Sequence, residues 1–227
     1  MDRQSLLYRD AHLIVVNKPS GLLTHRGWAG DRDTALSRAR DMLGTRVYLP
    51  HRLDRATSGA LLLALDPDVL QALSRAFERG EIHKQYLALV RGHVQLGGRI
   101  DHPLRRDGSE EPQPAVTDFA CIARAESERC SLLRLWPRSG RTHQLRRHLK
   151  HISHPIVGDT RYGKGEINRH YRTHYGLHRL ALHAELLGFE HPITGARVEV
   201  RAPLPQELMA ALERILPSDT QLDGLTG

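Results

Sequence analysis

The sequence predicts an α+β fold built on a mainly antiparallel sheet. Three observations carry that expectation. Strand-like segments follow one another at His83–Arg91, Val116–Ala125 and residues 129–136, the order of a meandering sheet rather than of alternating βα units. Helical patterns are few and isolated, the clearest at Pro67–Arg79. Of the 227 residues, 40 % are hydrophobic, enough to bury a real core. No internal repeat or low-complexity linker breaks the chain.

In order along the chain, residues 8–18 read as a strand or strand pair, closed by the turn Lys18-Pro19-Ser20-Gly21. Residues 22–33, interrupted by Gly and Trp, read as a loop, and 34–43 as a short helix. Residues 49–59 are polar and irregular, whereas the unbroken apolar run 60–65 is a buried strand. The helix Pro67–Arg79 has Asp66 as its N-cap, Pro67 in the first turn and Gly80 as a left-handed stop. Leu70, Leu73 and Phe77 recur at the spacing of a core-facing stripe. Residues 97–114 offer only Ile100 and Leu104 as apolar anchors and form a long loop or ribbon. A second helix, 142–152, is capped by Thr142, with Leu145, Leu149 and Ile152 inward and Arg147, Lys150 and His151 outward. A loop follows, then strands around 180–189 and Arg197–Arg201, a closing helix at 205–216 and a disordered polar tail at 218–227. Cys121 and Cys130 fall in neighbouring strands as small core residues.

Lys and Arg number 33 against 26 Asp and Glu, and the excess is concentrated. Residues 134–179 carry a net charge of +9, leaving −2 for the rest of the chain, and hold seven of the 15 histidines. Because this stretch also contains Gly, Pro and apolar anchors, it is a folded basic surface, and nucleic acid is the partner it suits. A merely solvated face is the alternative. The longest apolar run, residues 60–65, is far short of the ~20 residues of a membrane span. Residues 1–10 carry two acids and no apolar stretch, unlike a secretory leader. Two cysteines make no disulfide scaffold, which points to a reducing cytoplasm.

Three segments carry chemistry. His51-Arg52-Leu53-Asp54-Arg55 places an acid between two arginines directly before a buried strand, where nearby positive charge favours the carboxylate; an Asx-turn or a surface ion pair is the competing reading. Gly140-Arg141-Thr142-His143-Gln144-Leu145-Arg146 leads into a basic helix whose first-turn amides and arginines favour an anion. Arg141 and His143 are therefore candidates for substrate contact. The third segment is Lys84-Gln85-Tyr86 in a strand. His148, His151 and His154, preceded by His143, invite a zinc site, but no Cys or acid joins them and Pro155 ends the helix. No metal is expected. Trp28 and Trp136 are read as packing residues rather than base-stacking ones.

Together HRLDxxTSG at 51–59, KxY at 84–86 and GRxHQLR at 140–146 resemble the RluA-type family of pseudouridine synthases. Asn17-Lys18-Pro19-Ser20-Gly21, His154-Pro155-Ile156-Val157-Gly158-Asp159 and Leu180-Ala181-Leu182-His183-Ala184 match further landmarks, so the resemblance runs from about residue 8 to 203. It implies a sheet with a central cleft and flanking helices, in a single catalytic domain (1–217) without the S4 RNA-binding module of many relatives. Short members of the family modify tRNA, or both tRNA and ribosomal RNA. Within that group Thr24-His25-Arg26-Gly27-Trp28, Pro112-Gln113-Pro114-Ala115-Val116-Thr117 and Arg146-Arg147-His148-Leu149 resemble the members that act on tRNA, which implies uridine-65 as the target; the alternatives are a ribosomal or dual-specificity enzyme and a noncatalytic RNA-binding chaperone. The implied protein is a monomer with RNA as its partner and no obligatory protein partner.

The implied reaction breaks the N-glycosidic bond of uridine, rotates the base and rejoins it through C5. No redox step or group donor is involved, so no cofactor is expected. By resemblance Asp54 is the nucleophile, attacking ribose C1′ or uracil C6 or assisting a glycal route. A base covering its carboxylate expels water, and Arg146, matching the arginine that pairs with this acid, offsets the desolvation. Tyr86 matches the tyrosine that stacks on the base and is the candidate for proton transfer, although a phenol of pKa ~10 needs help to act as a base. The nucleotide must be flipped out at a cost of a few kcal/mol, and Arg52 matches the planar cation that fills the vacated stack. Leu182 belongs to the apolar wall of the base pocket.

Overall fold

The computed structural model describes residues 5–26, 32–105, 108–109, 111–218 and 220; Trp28 and nearly all of the polar tail lie outside them. In chain order the elements are β1 (Leu6–Arg9), β2 (Leu13–Lys18), α1 (Ala35–Leu43), β3 (Ser58–Ala64), α2 (Pro67–Arg79), β4 (His83–Arg91), β5 (Gly97–Asp101), β6 (Leu104–Arg105) and β7 (Pro112–Gln113). They continue with β8 (Val116–Ala125), β9 (Cys130–Pro137), α3 (Gln144–His151), α4 (Gly165–Tyr175), β10 (Leu182–Glu190), β11 (Arg197–Arg201) and α5 (Gln206–Ile215). The α+β class with a mainly antiparallel sheet is as the sequence predicts. The chain forms two compact units, one of residues 1–84 and 184–203, the other of 85–183 and 204–227.

In the first unit the strands run β1-β2-β3-β10, with β11 paired to β10. Every residue of β3 is buried, because the strand has neighbours on both edges and α2 on one face; hence its continuous apolar run. Leu13, Val15, Leu62, Leu73, Phe189 and Val200 belong to one core cluster. The caps of α2 are those read from the sequence. Asp66 accepts from the Val69 amide at 2.8 Å, and Gly80 adopts φ 74°.

In the second unit β4-β9-β8-β5 are antiparallel throughout. The 97–114 ribbon resolves into β5 and the short β6–β7 pair. Cys130 is buried and Cys121 partly so, on the paired strands β9 and β8. Two expectations are corrected here. The stretch after α3 is not all loop: it contains α4, whose buried residues are Asn168 and Tyr171 rather than aliphatics, so no apolar stripe announces it. Nor does Thr142 cap α3. The N-cap position is His143 in left-handed geometry (φ 54°) with no side-chain cap. Gln144 does the local work instead: its Oε1 accepts from Ser139 Oγ (2.7 Å) and the Arg141 amide (3.0 Å), while its Nε2 donates to Val116 O (2.9 Å).

Candidate active site

In the first unit Asp54 sits on a loop bound at the carbonyls of residues 53–56 and at the amides of Leu53 and Thr57. Lys18 is fully buried, and its Nζ donates to the carbonyls of Pro19 (2.9 Å), Leu22 (2.8 Å) and Arg55 (3.2 Å). An ammonium has three N–H donors, and three carbonyls receive them. Ser20 Oγ donates to Ala56 O (2.7 Å). The Gly21 amide donates to Arg55 O (2.8 Å), and Arg55 Nε returns a bond to Gly21 O (2.9 Å). Thr24 Oγ1 donates to Leu53 O (2.7 Å) and accepts from the Leu53 amide (3.3 Å). The Thr57 amide closes a turn on Asp54 O (3.1 Å). Segment 18–24 is thus the cradle of segment 53–57. The KPSG turn is thereby bound to the acidic motif, a pairing that the order of residues alone does not show.

Asp54 itself is half-buried and Arg52 is exposed. His25 is held below the ordinary histidine range first by burial and then by the Arg52 cation, so a positive field reaches this face of the loop. At the base of the motif His51 stacks on Phe77 with ring centroids 4.4 Å apart, and its Nε2 accepts from the Leu62 amide at 3.0 Å. Burial, reinforced by Lys84, pushes the pKa of His51 down to about 3; it is a neutral structural acceptor at physiological pH.

The second unit holds Tyr86, Arg141, His143, Arg146 and Leu182. Tyr86 lies half-buried on β4 opposite Leu135. Leu182 is 3 % exposed, and its carbonyl accepts from Arg179 Nη2 at 3.1 Å. Arg146, on the first turn of α3, is 8 % exposed and grips Asp159 in a bidentate pair, Nε to Oδ2 at 2.8 Å and Nη2 to Oδ1 at 2.9 Å. Burial alone would raise the Asp159 pKa, but the Arg146 pair and the amides of Tyr162 and Arg161 outweigh it, and the pKa is lowered. The Tyr162 ring faces the guanidinium at 5.2 Å, and its hydroxyl meets His143 Nδ1 at 3.0 Å. His143 and Arg146 are therefore joined through Tyr162, a link the sequence reading did not contain. Arg141 is exposed, with Nε donating to Pro114 O at 3.2 Å.

The basic window is only partly a surface. Arg138, Lys150, Lys164, Arg169 and Arg172 are exposed. Arg147 reaches Arg105 O (2.8 Å), and Arg179 binds the carbonyls of Leu180 and Leu182 and the Glu207 carboxylate. Among its histidines, His148 is buried between Thr117 Oγ1 (2.9 Å) and His102 O (3.0 Å). His151 stacks on His102, and His154 Nδ1 meets Arg91 O (2.8 Å). Among the described residues no group of three metal-ligating side chains forms. Trp136 donates its indole N–H to Gln85 Oε1 (2.9 Å) as a packing residue.

A family model described as RNA pseudouridylate synthase matches residues 12–151, and the chain belongs to that family; it is an RNA pseudouridine synthase. It is 45 % identical over 223 residues to tRNA pseudouridine synthase C of Pasteurella multocida (strain Pm70), covering 89 % of this chain and 92 % of that protein. To the protein of the same name from Haemophilus ducreyi it is 42 % identical over 222 residues, covering 89 % and 91 %. Among solved structures, human RNA Pseudouridylate Synthase Domain Containing 4 matches with a TM-score of 0.77 at 27 % identity, covering 94 % of each chain. Human RNA Pseudouridylate Synthase Domain Containing 1 matches at 0.74 and 29 %, covering 97 % of this chain and 94 % of that one. No described helix is long and apolar enough to cross a membrane.

Proposed function

We propose that the protein converts a uridine of tRNA, at position 65, to pseudouridine, with Asp54 as nucleophile. The observation that carries the chemistry is the tethering of the Asp54 loop: Lys18, Ser20, Gly21 and Thr24 together bind the main chain at 53, 55 and 56. Such a loop presents one carboxylate in one geometry, which is what attack on a bound nucleotide needs. The tRNA assignment is supported by the names of the relatives with 45 % and 42 % identity.

In this reading Arg146 balances the Asp54 carboxylate when the flipped base excludes water. Tyr86 stacks on that base, Arg52 fills the gap left in the RNA, and Leu182 lines the pocket. Arg141 and His143 contact the substrate near the start of α3, and the exposed cations of residues 134–179 take phosphates. Residues 1–217 act as a single catalytic domain, without cofactor or metal, and the protein works as a monomer in the cytoplasm.

The test is pseudouridine mapping of total RNA from cells with and without the gene, together with assays of purified Asp54→Asn on tRNA. Loss of a single tRNA site in the deletion is expected. The variant should bind tRNA normally but form no pseudouridine, because an amide keeps the shape and loses the nucleophile. A ribosomal site lost instead, or near-wild-type turnover by the variant, overturns the proposal.

A further inference from the structure

The geometry assigns Asp159 the role of positioning residue for Arg146, with Asn168 as its anchor. This rests on the reading above, in which Arg146 serves the carboxylate of Asp54. The fork-to-fork pair fixes the guanidinium plane as well as its location, which a single contact would not. Asp159 is itself immobilised. Its Oδ1 also accepts from the amides of Arg161 and Tyr162, both at 2.9 Å. Its carbonyl accepts from Asn168 Nδ2 (2.9 Å) and the Gly163 amide (3.1 Å). Asn168 Oδ1 takes the Gly158 amide at 3.0 Å, so one buried amide side chain holds the backbone on both sides of the Gly158–Asp159 peptide.

The surroundings allow this loop little slack. A Cβ on Gly158 would lie 2.0 Å from Arg179 O, and one on Gly163 would lie 2.3 Å from Asp159 O. On its other side Arg146 is met by the Tyr162 ring, itself held through His143. For stability alone, a buried ion pair is a poor device, since apolar residues of the same volume commonly serve as well or better. A charged group kept 8 % exposed and fixed in plane from two sides is what an electrostatic partner of the reacting centre requires.

The experiment is a double-mutant cycle in steady-state kinetics on tRNA, comparing wild type, Asp159→Asn, Arg146→Ala and the double variant, each checked for folding by circular dichroism. Asp159→Asn is expected to lower kcat about 100-fold, the scale of an ångström-sized misplacement, with KM unchanged. In the Arg146→Ala background it should remove nothing further, because its effect passes through that guanidinium. Equal loss in both backgrounds, unchanged kcat, or a rise in KM alone overturns the inference. Should Asp159→Asn fail to fold, Asn168→Ala, which leaves the ion pair and removes its backbone anchor, is read by the same cycle and the same outcomes. Wild-type protein that makes no pseudouridine in tRNA overturns the functional reading and this inference with it. An active wild type with additive losses overturns only the inference.

Discussion

Lys18→Met isolates the cradle beneath Asp54. Methionine fills nearly the same volume, so the change removes three N–H donors with little cavity. The carbonyls of Pro19, Leu22 and Arg55 lose the donor that now reaches each of them, at a site where Lys18 is 0 % exposed. The Leu22 carbonyl, whose bond is buried, costs about 2–3 kcal/mol when left without its partner, and those of Pro19 and Arg55, whose bonds are only part-buried, about 0.5–1.5 kcal/mol each, giving roughly 3–6 kcal/mol in all. Against a typical total of about 5–15 kcal/mol this is severe. For a chain of this size it corresponds to a fall in Tm of roughly 6–24 °C. Urea unfolding followed by circular dichroism measures it directly. Pseudouridine formation, assayed well below the new Tm, should fall more than tRNA affinity, because the lost bond to Arg55 O loosens the residue next to Asp54. A loss of stability under about 1 kcal/mol would mean that water replaces the ammonium easily, and the cradle would not be what holds the loop.

Three further outcomes are expected. The pKa of His51 is about 3 in the folded protein, below the ordinary ~6.5 of an unfolded histidine. The unfolded chain therefore takes the proton first, and stability is lost as pH falls from about 6.5 towards 3. His51→Gln, which keeps an acceptor for the Leu62 amide, should flatten urea midpoints measured between those values; an unchanged pH slope refutes the linkage. Binding to tRNA should weaken steeply with salt: if the exposed cations of the 134–179 window neutralise roughly five phosphates, the log–log slope is about −4. A flat response removes that window from the interface. Gly59 has φ +116°, and an added Cβ would sit 2.1 Å from Ala184 O. Gly59→Ala combines backbone strain with a clash against main chain, so a destabilisation of roughly 2–6 kcal/mol is expected, and a wild-type melting curve would refute it.

The elements that matched the sequence reading are those fixed by neighbours in the chain. Helix α2 begins and ends where Asp66, Pro67 and Gly80 place it, because a cap is a contact between residues three or four apart. Helix α4 has no local signature, because it begins at Gly165 without a side-chain cap and buries Asn168 and Tyr171, residues whose inward position depends on partners elsewhere. Thr142 satisfied the local rule for a cap and still lost the role, because Gln144 bonds to β8 across 28 residues at Val116.

From its own order of residues the protein determined its class, its main strands and best helix, and the motifs that carry Asp54, Tyr86 and Arg146. Tertiary structure alone decided which charges face solvent and which are committed inside. Arg146 and Arg179 belong to one basic stretch on paper, yet one is locked to Asp159 and the other to Glu207 and two carbonyls. Lys18, which reads in sequence as the first residue of a turn, is the buried clamp under the Asp54 loop. A charge's partner is set by distance in space and by the need to satisfy buried polar groups. Neither is a property of the residues beside it in the chain.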